Sequence, residues 1–259
     1  MPTFDLNEIQ RQTTLHHIEH HESLDSTSSL AAELLLNLIP VCPALVLATT
    51  QTAGRGRGSN QWWANTGALT FSLVLNPATI SLEPNRLSLI ALATGVAVRR
   101  CVARLVPDGH ATIKWPNDLL LNERKVCGIL TEHISVEGTA ALIIGVGLNV
   151  NNSLTNAPED IRQNATSVYD ATGESLNLST VLISILNEID ACIGDLCNRS
   201  MALLSELNGN SILNGRSIAV QAGDVITHGT CRGIDDTGAL VLMTESGPTT
   251  LIAGSVVEY

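Results

Sequence analysis

The chain has 259 residues, room for one large domain or a medium domain with a small companion. Hydrophobic residues make up 44% and charged residues 15%, which supplies a core and excludes a disordered or coiled-coil chain. A formal net charge of −11 argues against DNA or RNA as the main partner, because phosphate contacts need clustered Lys and Arg.

The first 22 residues read as a polar, poorly packed lead segment. They lack the basic-then-apolar pattern of a signal peptide. His16, His17, His20 and His21 would pair at i, i+4 on a helix; the expected reading is a solvated surface, not a metal site. Ser26–Ile39 is predicted as a helix capped by Asp25 or Ser26, with Leu30, Leu34 and Leu38 on one face, ended by Pro40 and Pro43. Ala44–Ala48 is a short strand, residues 49–66 a Gly/Arg-rich loop with two tryptophans, and Ala68–Leu75 another strand. Leu87–Leu105 has the 3.6-residue period of an amphipathic helix. Strands are predicted at Thr112–Trp115, Leu119–Leu121, Val126–Glu132 and Ala140–Gly147, then a helix at Leu178–Ile193.

From about Ser211 short strands alternate with turns: Ser211–Ala222, Val225–Ile234, Leu240–Thr244 and Thr249–Ile252. That texture suggests a small β-barrel, with a boundary near Asn208–Asn210. The six cysteines include no CxxC pair and read as buried free thiols. No apolar run approaches the ~20 residues needed to cross a bilayer. A soluble, cytoplasmic protein is expected.

Two constellations carry chemistry. In Gln51-Thr52-Ala53-Gly54-Arg55-Gly56-Arg57-Gly58, alternate glycines let the backbone approach a ligand closely. The two arginines offer bidentate donors to carboxylate or phosphate. The bland alternative is a solvated flexible loop, or a basic arm binding nucleic acid. In Ile113-Lys114-Trp115-Pro116-Asn117-Asp118, a lysine on an apolar strand is costly to bury without a partner. A fixed ammonium there suits the joining of a carboxylate to a nucleoside triphosphate, both anionic; the alternative is a snorkelling edge residue. No GxxxxGK[ST] P-loop occurs. Gly145-Val146-Gly147-Leu148-Asn149-Val150 fails as a dinucleotide fingerprint, since Val150 stands where Gly or Ala is needed.

These residues, with Gly128-Ile129-Leu130-Thr131-Glu132 and Gly145–Asn151, resemble in order and spacing the motif series of biotin–protein ligases. The resemblance runs from about Ser23 to Tyr259. It implies a mixed α/β catalytic domain of the class II synthetase-like biotin/lipoate ligase type, with a mixed sheet flanked by helices (residues 1–209, with 1–22 as lead). A C-terminal SH3-like β-barrel (210–259) would follow. It implies that Ser26, Thr27, Ser28 and Gln51 meet the ureido head of biotin. Gly54, Arg55, Gly56 and Arg57 would then form a loop closing over the adenylate, with Trp62 packed over the ligand and Trp63 an extra packing aromatic. Lys114 would hold carboxylate and phosphate oxygens, Gly128 and Ile129 would line the biotin slot, and Asn149 would lie near the nucleotide. Asn117 and Asp118 would order the site or help with magnesium.

Biotin, ATP and Mg2+ are the implied small molecules, and the carrier domain of acetyl-CoA carboxylase the implied protein substrate; monomer and homodimer are both open. Two departures stand out. Gly58-Ser59-Asn60-Gln61 replaces the family's further Arg-Gly pair. The roughly 22 residues before the motifs are too few for a winged helix-turn-helix, so no DNA binding is expected. A lipoate–protein ligase and a non-catalytic biotin sensor remain the alternatives.

Overall fold

The computed structural model describes residues 4–63, 65–80, 86–155, 157–198 and 201–259; residue 64 of the predicted loop and residues 1–3 of the lead segment lie outside these. Seven strands form the main sheet: β1 (His17–Leu24), β2 (Ala44–Gln51), β3 (Leu69–Leu75), β4 (Ala111–Lys114), β5 (Asp118–Leu121), β6 (Arg124–Val136) and β7 (Thr139–Leu148). Their order is β1-β2-β3-β7-β6-β5-β4. Among the described strands of this sheet, only β1 and β2 pair in parallel, through the crossover formed by α2 (Thr27–Glu33) and α3 (Leu35–Leu38).

The central strands are buried on both faces, which is why β2 reads as an unbroken apolar run. Successive side chains alternate. Leu45 and Leu47, with Leu69, Phe71 and Leu73, point into the main core with α4 (Leu89–Leu105). Ala44 and Val46 face the other way, onto Ala31, Leu35 and Leu38 of the α2–α3 crossover. The single helix expected over residues 26–39 is broken at Leu34 and continues into a 3-10 turn at Ile39–Val41 around Pro40. Ser26 is its cap, accepting from the Ser29 amide.

The lead segment is not loose. It forms α1 (Leu6–Gln12), whose Ile9 is fully buried, and then β1 at the sheet edge. His17, His20 and His21 therefore sit on a strand, with His16 just before it, and not on one helix face. His20 bonds Thr49 and His21 bonds Glu19. Two short helices, α5 (Glu159–Asn164) and α6 (Val168–Thr172), precede α7 (Leu178–Cys197), which packs on α4; α8 (Met201–Gly209) follows.

Residues 210–212 then hydrogen-bond to Ile113 and cover the free edge of β4. The chain continues into an antiparallel five-stranded sheet of β8 (Ser217–Ala222), β9 (Val225–Ile234), β10 (Leu240–Thr244), β11 (Gly247–Leu251) and β12 (Ser255–Glu258), ordered β11-β10-β9-β8-β12. No described helix is long and apolar enough to cross a membrane.

Candidate active site

Two adjoining cavities open on the face of the main sheet where the Gly/Arg loop crosses β6 and β7. The smaller, of about 580 Å3 including its open mouth, is lined by Ser26, Thr27, Ser28 and Gln51. Arg55, Arg57, Trp62, Asn117 and Lys125 also line it, with Gly128, Ile129 and Gly147 of β6 and β7. The larger, of about 1260 Å3 including its open mouth, is lined by Trp63, Lys114, Asp118, Glu123, Asn149, Asp160 and Tyr259. Asn60, Gln61, Trp62 and Lys125 border both, so the two cavities share a seam.

The polar part of the smaller cavity is a relay of hydroxyls at the start of α2. Ser72 on β3 donates to Thr27 Oγ1 at 2.9 Å and lies 3.0 Å from Ser28 Oγ, while the Thr27 amide donates to Gln51 Oε1 at 2.7 Å. All three hydroxyl residues are buried. Ser72 was not anticipated, although a lone serine inside the apolar strand LTFSLVL was a readable signal. Gly145 is required beneath them, since a Cβ there would stand 2.5 Å from Ser28 Oγ.

The floor depends on a pair of glycines. Gly128 and Gly147 face each other across β6 and β7; the Trp62 indole occupies the space a side chain on Gly147 would fill, and its edge lies in contact distance of a Cβ at Gly128. The loop that delivers Trp62 is a tight hairpin. Arg55 bridges to Gln61, the Gly56 amide donates to Asn60 O, and the Trp62 amide donates to Gly54 O. Gly54 thus works at the neck of the loop and not in the cavity wall. Arg55 is clamped by both carboxylate oxygens of Glu132 on β6, at 2.6 and 3.2 Å. Arg57 donates to Asn117 Oδ1 and to the Gly254 carbonyl of the C-terminal sheet, at 3.5 and 3.1 Å.

Two lysines stand at the cavities, in different places. Lys114 lies in the larger cavity only, its Nζ 4.0 Å from the centre of the Tyr259 ring. Burial lowers its pKa and nearby Lys125 lowers it further, partly offset by Asp118. Lys125, which sequence reasoning missed, occupies the seam and pairs with Asp118 at 2.7 Å.

A β-bulge explains its aim. Leu119 pairs with Cys127 but Leu120 pairs with Lys125, leaving Val126 as the extra residue. Without that bulge, residues 125 and 128 would point to opposite faces. With it, a Cβ on Gly128 would lie 3.4 Å from Lys125 Nζ. Asn117 is a brace: its amide nitrogen donates to Ile129 O at 2.7 Å, and its oxygen is the one that Arg57 reaches. Asn149 is likewise buried and tied to Thr166 O and Asn152. Burial pushes the Cys127 thiol well above its ordinary range, so it offers no thiolate beside the seam.

Against known proteins, residues 21–149 match the biotin/lipoate A/B protein ligase family and residues 214–257 the biotin protein ligase C-terminal domain. A biotin--[acetyl-CoA-carboxylase] ligase from Paracoccus denitrificans is 32% identical, over 90% of this chain and 96% of that protein. The chain belongs to the biotin protein ligase family. The bifunctional ligase/repressor BirA of Bacillus subtilis is 34% identical, over 89% of this chain and 70% of BirA. The biotin protein ligase from Aquifex aeolicus, solved in complex with biotin and ATP, superposes with a TM-score of 0.82 at 26% identity, covering 94% of this chain and 99% of that one. Biotin protein ligases thus share both the mixed sheet and the small C-terminal sheet, which is SH3-like.

Proposed function

We propose that the smaller cavity takes biotin and the larger takes ATP, so that the biotin carboxylate meets the α-phosphate at the seam occupied by Lys125 and Trp62. The observation that carries this reading is the seam itself: one cationic side chain borders both cavities, and the hydroxyl relay lines one of them. The chain is an ATP-dependent biotin–protein ligase. Biotin's carboxylate attacks the α-phosphorus, pyrophosphate leaves, and biotinyl-5′-AMP forms. The ε-amine of a carrier lysine then attacks the acyl carbon, and AMP leaves.

The residues orient and shield. Ser26, Thr27, Ser28 and Gln51 hold the ureido head, while Gly128, Gly147 and Ile129 give the flat apolar floor its shape. The Lys125 ammonium offsets charge that rises as carboxylate and phosphate approach. Lys114 and Asn149 serve the nucleotide side, Asn149 by fixing the turn beside it. The loop carrying Arg55 and Arg57 closes the seam from water, which protects the mixed anhydride.

Among the described residues no three His, Cys, Asp or Glu side chains gather into a metal cluster, and Asp118 and Glu123 are already paired with Lys125 and Arg216, so magnesium would be held by ATP's own phosphates with Asp160 as the carboxylate of the larger cavity nearest to hand. When bound there, it would neutralise phosphate charge. Asn117, committed to Ile129 and Arg57, is not offered as a ligand. Residues 1–209 and 210–259 are taken as two domains, and the carrier as the biotin-accepting domain of acetyl-CoA carboxylase.

The test is incubation with biotin, Mg·ATP and that carrier domain, followed by pyrophosphate release and the mass of the carrier. Biotin-dependent pyrophosphate and a carrier heavier by one biotinyl group are expected. No turnover with biotin, or turnover with lipoate instead, would overturn the assignment.

A further inference from the structure

We propose that Tyr259 is a positioning residue for the nucleotide, holding the Lys114 ammonium against the face of its ring at the edge of the larger cavity. The inference rests on the assignment of that cavity to ATP. Tyr259 and Lys114 both line it, and Nζ lies 4.0 Å from the ring centre, well inside the reach of a cation–π contact. Arg216 stands 5.7 Å from the same ring and pairs with Glu123 at 3.3 Å.

The reason a ring is needed lies in the neighbouring carboxylate. Lys114 faces Asp118 across the β4–β5 pairing, yet Asp118 is engaged by Lys125 at 2.7 Å. Among the described residues no carboxylate lies within ion-pair distance of Lys114. A half-buried ammonium without a counter-ion is costly and would swing toward solvent. A ring face stabilises it while leaving its full charge for the triphosphate, whereas a carboxylate there would compete with phosphate. The C-terminal sheet also touches the other site motifs. Gly254 accepts from Arg57, and Gly238 accepts from the buried Trp115 Nε1 at 3.1 Å. Tyr259 follows β12 of that sheet and supplies the third such contact.

The experiment measures KM for ATP and for biotin separately, by biotin-dependent pyrophosphate release, in the wild type, Tyr259→Leu, Tyr259→Phe, Lys114→Met and the double variant Lys114→Met/Tyr259→Leu. Tyr259→Leu is expected to raise the ATP KM by about fivefold to thirtyfold, with the biotin KM within about twofold. Tyr259→Phe, which keeps the ring, should recover the ATP KM. In the Lys114→Met background, Tyr259→Leu should add little.

A merely structural ring would move kcat and both KM values together. That result would overturn the inference, as would an unchanged ATP KM, or Tyr259→Phe as impaired as Tyr259→Leu. A wild type that releases no pyrophosphate would remove the ATP assignment, and the inference with it.

Discussion

Gly147→Ala tests whether the indole of Trp62 is the lid of the biotin slot. A methyl at 147 would lie 2.4 Å from Trp62 Cε2, 2.7 Å from Nε1 and 2.8 Å from Cδ2. Ordinary contact begins near 3.4 Å, so one partner must give way by about 1 Å. The strand is the stiffer partner, because Gly147 is paired on both sides, with Thr70 and with Gly128. The indole is carried by a loop and must lift. Misplacing a substrate-orienting group by about 1 Å costs on the order of 10²-fold in rate. The fold itself should lose only about 1 kcal/mol, roughly 2–4 °C in Tm. The assay is pyrophosphate release at varied biotin, beside a thermal melt. A fall in kcat/KM for biotin of about a hundredfold with a nearly normal melt is expected. Gly194→Ala, where a methyl meets open space on α7, is the control: activity unchanged and stability raised by about 0.5–1 kcal/mol. A Gly147→Ala enzyme within about threefold of wild type would refute the reasoning.

Three further outcomes follow from the same geometry. Lys125→Ala is expected to cost adenylation on the order of 10²–10³-fold in kcat, whereas Lys114→Ala should act mainly on the ATP KM; the reverse ranking in pyrophosphate exchange would mean that the seam is misassigned. Arg57→Ala frees the loop from Asn117 and Gly254, so bound biotinyl-AMP should escape faster in a chase, and unchanged retention counts against the shielding role. Because burial lowers the Lys114 pKa from 10.5, its charged form is lost earlier as pH rises. The alkaline limb of kcat/KM for ATP should therefore fall below the pH at which a free lysine titrates. Lys114→Arg, always protonated, should move that limb upward; an identical limb in the two enzymes would exclude Lys114 as its source.

The long amphipathic helices and buried strands were legible because their periodicity survives in the sequence. The glycines of the floor were visible as residues, but the tryptophan that needs them lies 85 positions before Gly147. The segment His17–Leu24 escaped because HIEHHESL has no apolar alternation; as an edge strand it is held by backbone pairing with β2, which leaves no hydrophobic signature. Lys125 escaped for a different reason. Strict alternation sends residues 125 and 128 to opposite faces of β6, and only the extra residue at Val126 brings them to one side. A bulge is a property of the pairing between two strands, so neither strand's sequence announces it.

The way each cation is held suggests a division of labour in an acidic protein. The chain has 14 Lys and Arg against 25 Asp and Glu, so long-range attraction for an anionic nucleotide is poor and the local charges must suffice. Arg55 is neutralised by Glu132, and Lys125 is balanced by Asp118. Arg57 and Lys114 are held instead by neutral groups: an amide oxygen and a carbonyl for one, a tyrosine ring for the other. Those two keep their charge uncompensated and available to incoming phosphate, and each relies on the C-terminal sheet for at least one of its holders. A substitution that unseats this sheet without unfolding it should therefore weaken ATP more than biotin, because the polar relay at Ser26, Thr27, Ser28 and Ser72 belongs wholly to the main sheet and α2.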